Sequence, residues 1–149
     1  MELKKAEEQD LDLLTTWLHT AEEAQIWGGP AITYPFDLAT LKEQIQWSVN
    51  RSYSLVDDGA VVGFAQVAQR FGNNHLCRVL VDPTLRGQSL GEKLLVLIIA
   101  EEGNGEHKFS LFVYDSNDVA INLYHKLGFV TEPVPVGVTK MADCSYMVR

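Results

Sequence analysis

The run Val79-Leu80-Val81-Asp82-Pro83-Thr84-Leu85-Arg86-Gly87-Gln88-Ser89-Leu90-Gly91 puts backbone donors where an anion can use them. A β-rich apolar segment breaks at Asp82-Pro83, passes a glycine-containing turn and re-enters order as a helix that opens near Leu90. The first-turn N–H groups of such a helix have no intrahelical partners. The helix dipole adds partial positive charge at the same end, so an anionic ligand is welcome there. Turns of this kind also arise for steric reasons alone, and the loop by itself leaves both readings open.

A second segment narrows the choice. Asn117-Asp118-Val119-Ala120-Ile121-Asn122-Leu123-Tyr124-His125-Lys126-Leu127-Gly128-Phe129 reads as a capped amphipathic helix that stops at Gly128 and passes into a new strand. Together the two segments resemble the GNAT superfamily of acyl-CoA-dependent N-acetyltransferases, over roughly the second half of the chain from His75 onward. The family's cofactor motif (Arg or Gln, two residues, Gly, one residue, Gly or Ala) falls on Arg86, Gly87, Gln88, Ser89, Leu90 and Gly91, with Ser89 standing where Gly is usual. The Leu-Tyr-x-Lys-Leu-Gly-Phe pattern falls on Leu123, Tyr124, Lys126, Leu127, Gly128 and Phe129.

The resemblance implies that the loop amides grip the pyrophosphate of acetyl-CoA, with Arg86 meeting phosphate as well. It implies that backbone groups around Leu80 and Val81 bind the pantetheine arm and the thioester oxygen, that Asn117 reaches toward the pantetheine, and that Tyr124 protonates the departing thiolate. Without the motif, Tyr124 would read as a half-buried helix tyrosine beside Ala120, and Asn117 as a cap alone. Ser89 matters if it blocks the ligand's approach or if its position needs a positive φ, which only Gly adopts cheaply.

Acetyl transfer to an amine also needs the nucleophile deprotonated. His75, at the head of the strand that feeds the loop, is one candidate base, since an unperturbed imidazole titrates near ~6.5. It lies close to where the resemblance places a carboxylate acting through water. Glu22 and Glu23 are the other candidates, and with Trp27 they are expected to border the acceptor. Five of the eight net negative charges fall within residues 1–24, where seven carboxylates face only Lys4 and Lys5. That is either a solvated helix face or a surface that draws in a cationic amine. Neither cysteine, Cys77 or Cys144, has a His–Asp partnership or a metal-ligand spacing, so an acyl-enzyme and a metal site are not expected. The rival reading is a non-catalytic module that binds coenzyme A and reports on acyl-CoA supply.

The elements that must position these groups follow from turn signals and periodicity. A strand over residues 2–6 precedes a helix capped by Asp10 with an apolar stripe of Leu11, Leu13, Leu14, Trp17 and Leu18. A loop carrying Trp27 then leads to a second helix with Leu38, Leu41, Ile45 and Val49 at helical spacing. Residues 52–56 and 60–68 form a hairpin around Asp57-Asp58-Gly59, and residues 75–81 form the central strand. The helix Leu90–Glu102, stopped by Gly103-Asn104-Gly105, a strand over residues 108–114, the Asn117 helix and closing strands at residues 129–133 and Cys144–Val148 complete the order.

The expected fold is mixed α/β, a GNAT-like acyl-CoA N-acyltransferase fold forming one domain over residues 1–149, with a central mixed β-sheet flanked by about four helices. A chain of 149 residues, 46% hydrophobic and 21% charged, suits that size. A net charge of −8 argues against nucleic acid as a partner. No apolar run is long enough for a membrane span and no secretory h-region opens the chain, so a cytoplasmic location is expected. The amine acceptor, small molecule or peptide, has no recognisable signature, and the oligomeric state stays open, a homodimer included.

Overall fold

The computed structural model describes every residue except Asn104 and Glu106, so the middle of the expected Gly103-Asn104-Gly105 stop lies outside the described residues. Seven strands form one mixed sheet in the order β1-β2-β3-β4-β5-β7-β6. They are β1 Glu2–Lys5, β2 Arg51–Asp57, β3 Ala60–Arg70, β4 Asn73–Val81, β5 Phe109–Tyr114, β6 Val130–Glu132 and β7 Cys144–Val148. Every neighbouring pair is antiparallel except β4 with β5. The hairpin turns are built from left-handed residues, Asp58 and Gly59 between β2 and β3 and Phe71 and Gly72 between β3 and β4. Phe71 holds that conformation within an edge-on aromatic cluster with His75, Phe112 and Tyr146.

Helices α1 Glu8–Trp17, α2 Ala21–Gly28 and α3 Leu38–Gln44 cover one face, where Leu11, Leu14, Trp17, Ala24, Trp27, Leu41 and Ile45 pack with Phe64 of β3. Helix α4, Leu90–Glu102, covers the other, burying Leu90, Leu94, Leu95 and Ile98 at helical spacing against β2, β3 and β5, with α5, Asp118–Lys126, beside it. Full burial of each such side chain stabilises by about 1.5–3 kcal/mol. The C-terminal end of α4 is tied to β2 through Glu102, whose Oε1 accepts from Arg51 Nε at 2.6 Å. Among the described residues no helix is long and apolar enough to cross a membrane.

The N-terminal half departs from the sequence expectation in three places. Asp10 does not cap α1. Glu7 is the N-cap, and Asp10, three residues on, accepts from the Glu7 N–H at 2.9 Å, closing a reciprocal capping box. The segment expected as a loop around Trp27 is α2, which makes five α-helices among the described residues, because Thr20 accepts from Glu23 N at 3.0 Å and starts a helix there. Helix α3 ends at Gln44, so Val49 lies past the amphipathic stripe and is exposed.

Candidate active site

Strands β4 and β5 pair only at Asn74↔Phe109 and His75↔Ser110. Beyond that they diverge, β4 toward the loop before α4 and β5 toward α5. The opening is a cleft of about 420 Å³ walled by Leu76–Leu80 and Leu111–Tyr114, closed on one side by Leu18, Glu23, Ile26 and Trp27 and reached by Arg86, Asn117 and Tyr124. From Leu76 on, the β5-facing edge of β4 has no strand partner.

A bulge shapes that edge. The register with β3 passes from Gln66↔Cys77 to Phe64↔Leu80, which gives β4 one extra residue, and Arg78 adopts φ +52° at that point. The indole Nε1 of Trp27 donates to the Arg78 carbonyl at 3.0 Å. Leu80 and Val81 are then paired to β3 at Phe64 and Gly63. Leu80 faces the cleft, whereas the side chain of Val81 packs into the α4 side of the core, so Val81 can serve a ligand only through its main chain.

At the loop, Asp82 accepts from Thr84 N at 2.9 Å and Thr84 Oγ1 at 2.8 Å, which winds Pro83–Leu85 into a single 3-10 turn. Gly87 follows at φ +84°, and Ser89, the N-cap of α4, sits at φ +58°, ψ 28° without a side-chain capping bond. The position held by serine is therefore one that favours glycine. Gly91 lies in the first turn of α4, whose amides have no intrahelical acceptors, and Arg86, just before it, borders the cleft. A Cβ on Gly91 would meet only Leu123 Cδ2 at 3.8 Å and Val81 Cγ2 at 4.0 Å, so the protein itself does not require glycine there. Glu92, the acid in that first turn, is paired with Lys126 Nζ at 2.9 Å. Unpartnered amides at a helix N-terminus, a nearby Arg86 and a small residue where a ligand's phosphates would approach suit a pyrophosphate.

Across the cleft, Tyr124 is half-buried on α5 with its ring edge-on to Phe129 at 6.0 Å, and its hydroxyl makes no hydrogen bond among the described residues. Burial pushes its hydroxyl pKa up, so the group is a proton donor at neutral pH and not a phenolate. Asn117 caps α5 with its oxygen, accepting from Ala120 N at 3.2 Å, and so keeps its amide nitrogen as the group it can offer to the cleft.

His75 does not reach this cleft. It is 2% exposed, its Nδ1 lies 2.9 Å from Ser110 Oγ, and Phe71 and Phe112 pack on its ring. Burial, with Arg70 and Arg78 adding to it, drives its pKa down to about 3, and the ring has no route to the cleft. Glu23 does line the cleft, while its Oε2 also accepts from His19 N at 2.8 Å. Glu22 is exposed and lies in an adjoining groove with Asp115 and Asp143. Trp27, 9% exposed, lines the cleft from α2 but spends its N–H on Arg78, so its first task is to hold the bulge. Cys77 borders the cleft too, yet burial raises its thiol pKa and no histidine or carboxylate is bonded to it among the described residues.

Three groups at this site carried no weight in the sequence: Arg78, Asp115 and Asp143. Arg78 had a legible signal, a lone charge inside the apolar run Leu76-Cys77-Arg78-Val79-Leu80-Val81, where a charged residue needs an explanation.

A sequence model of the acetyltransferase (GNAT) family matches residues 12–129. Among solved structures, a ribosomal-protein-alanine N-acetyltransferase of Escherichia coli is 25% identical and superposes with a TM-score of 0.70 over 99% of this chain and 91% of its own. The Salmonella typhimurium protein yncA, with its cofactor acetyl-CoA, is 26% identical, with a TM-score of 0.67 over 100% of this chain and 92% of its own. AAC(6')-Ib in complex with paromomycin and acetyl-CoA is 25% identical, with a TM-score of 0.74 over 99% and 91%.

Proposed function

The chain belongs to the GNAT acetyltransferase family, and from that premise we propose that it moves the acetyl group of acetyl-CoA directly onto a primary amine held in the cleft between β4 and β5. Bound acetyl-CoA supplies an acyl group activated as a thioester. The protein's part is to hold it, polarise it, and manage two protons.

The amides of Gln88 to Gly91 and the guanidinium of Arg86 hold the pyrophosphate at the positive end of α4. The unpaired edge of β4 around Leu80 and Val81 binds the pantetheine arm and the carbonyl oxygen that gains charge during attack, and Asn117 contributes its amide nitrogen. Tyr124 gives its hydroxyl proton to the departing sulfur. A thiol with a reference pKa near ~8.5 needs little more than one donor to leave. Glu23, the carboxylate in the cleft wall, serves as the base in place of the enclosed His75. The acidic groove of Glu22, Asp115 and Asp143 favours an acceptor that arrives as an ammonium.

The observation that carries this reading is the divergence of β4 and β5 after His75↔Ser110, which opens a polar-edged cleft bordered by Arg86, Asn117 and Tyr124. The test is thiol release from acetyl-CoA across a panel of primary amines. Amine-dependent release supports the reading. Tight binding of coenzyme A with no release for any amine would leave a non-catalytic acyl-CoA module in its place.

A further inference from the structure

The cleft is flanked by two grooves of opposite charge. On the α2 and α5 side lie Glu22, Asp115 and Asp143. On the α3 side lies a groove of about 480 Å³ with Arg70 and Arg78 as its charges, the amide side chains of Gln44, Gln46 and Asn50 as its other polar groups, and no carboxylate. Arg78 and Cys77 border both that groove and the cleft itself, so the two spaces meet at the bulge of β4.

Arg78 is built as a binding group. Its Nη1 donates to Gln66 Oε1 at 2.9 Å, and Gln66 is itself fully buried and anchored by donating from its Nε2 to Ser52 Oγ at 3.0 Å. The guanidinium is thus fixed in place by neutral partners, Gln66 and the Cys77 thiol at 3.8 Å from the same Nη1, that leave its charge uncompensated. Its Nε is buried without any hydrogen-bond partner, an arrangement that native structures seldom leave without a reason. The residue also holds a left-handed conformation that costs free energy at any non-glycine position, and such strain gathers at ligand sites. No acid pairs with Arg78 among the described residues, although the guanidinium is half-buried and its Nε fully so.

Resting on the transferase reading above, we propose that the acceptor is an amino carboxylate, whose carboxylate is bound by Arg78 at the bulge while its amine lies in the cleft beside Leu80. Arg78 and Leu80 both line the cleft, so one small molecule carrying the two groups on adjoining atoms meets both residues from the same space. A planar guanidinium with free N–H groups matches a carboxylate better than an ammonium of Lys would. The acidic groove attracts the ammonium end, and the basic groove retains the anionic one, so the site selects a zwitterion over a simple cationic amine.

The test uses matched pairs of L-amino acids and their carboxamides as acceptors, with the intact protein and saturating acetyl-CoA. Wild type should prefer the free acids by roughly tenfold or more in kcat/KM, chiefly through KM. Arg78→Gln should bring the ratio close to one, and Arg78→Lys should keep part of it. Amides acetylated as well as acids by the wild type would overturn the proposal, a result that does not depend on any variant folding. So would an acid preference that survives in Arg78→Gln. Calorimetry with the same pairs on the coenzyme A complex separates the two readings. Arg78-dependent binding of the acids without turnover would keep the carboxylate site and sink the transferase. Acetylation of amines regardless of a carboxylate would keep the transferase and sink the site.

Discussion

Trp27 and Arg78 are joined by a hydrogen bond from indole Nε1 to main-chain carbonyl at 3.0 Å, so helix α2 fixes the bulge of the central strand. The ring also packs on Phe64 at 6.4 Å, beneath the same bulge. Trp27→Phe keeps an aromatic ring on Phe64 but leaves the carbonyl unpaired and part of the site unfilled. We expect a loss of about 1–3 kcal/mol in a urea titration together with a slower transfer reaction. A variant that keeps both the wild-type midpoint and the wild-type rate would show that the bulge holds without the indole.

Ser89 occupies φ +58° with no capping bond to lose. Replacing it by glycine relieves a left-handed residue, worth about 1–2 kcal/mol, at the expense of a more flexible unfolded chain, worth about 0.5–1 kcal/mol. The expected net is a stabilisation of up to about 1.5 kcal/mol, with coenzyme A affinity equal to or better than wild type. A clear loss of affinity in Ser89→Gly would mean that the serine hydroxyl itself binds phosphate.

Tyr124→Phe removes only the hydroxyl from a ring whose packing against Phe129 is retained. Fold and coenzyme A affinity should persist while the chemical step slows by about 10²–10⁴, the usual worth of a general acid. Wild-type turnover under conditions where chemistry limits the rate would reduce Tyr124 to a packing residue.

His75 links stability to pH. Its folded pKa is depressed to about 3 by burial, against ~6.5 for a free imidazole, so below pH ~6.5 the unfolded chain binds the proton and the folded one does not. Stability contributed by the neutral ring is present above that pH and is lost as pH falls toward 3, at up to about 1.4 kcal/mol per unit. His75→Asn is expected to be less stable at pH 7 yet to show a shallower fall between pH 6 and pH 4. Parallel wild-type and variant curves of urea midpoint against pH would contradict this.

Much of this architecture is legible in the chain. Helix α4 and strand β7 fall on their expected residues, because a glycine cap ends the first and a short, almost wholly buried apolar run marks the second. Helix α2 escaped because only Ala24 and Trp27 of its eight residues are buried, too few to show a period. Thr20 followed three residues later by Glu23 is nonetheless a helix-start signature that the sequence carries. The fate of His75 was not readable, since its cage is assembled from Phe71, Ser110 and Phe112 on other elements. The bulge at Arg78 is likewise a property of the pairing between β3 and β4, not of either strand alone.

The central claim is that acetyl-CoA lies between β4 and β5 with its pyrophosphate on the first turn of α4. Gly91→Val tests it most directly, because the fold has room for the added atoms nearest the backbone, with Leu123 Cδ2 at 3.8 Å, whereas a phosphate at those amides would not. Calorimetric titration of acetyl-CoA into wild type and Gly91→Val, with matching unfolding curves as the control, should show the variant losing most of the affinity, tenfold or more in Kd, on the order of 1.4 kcal/mol. Equal affinity in a variant that is equally folded would place the cofactor elsewhere and contradict the account.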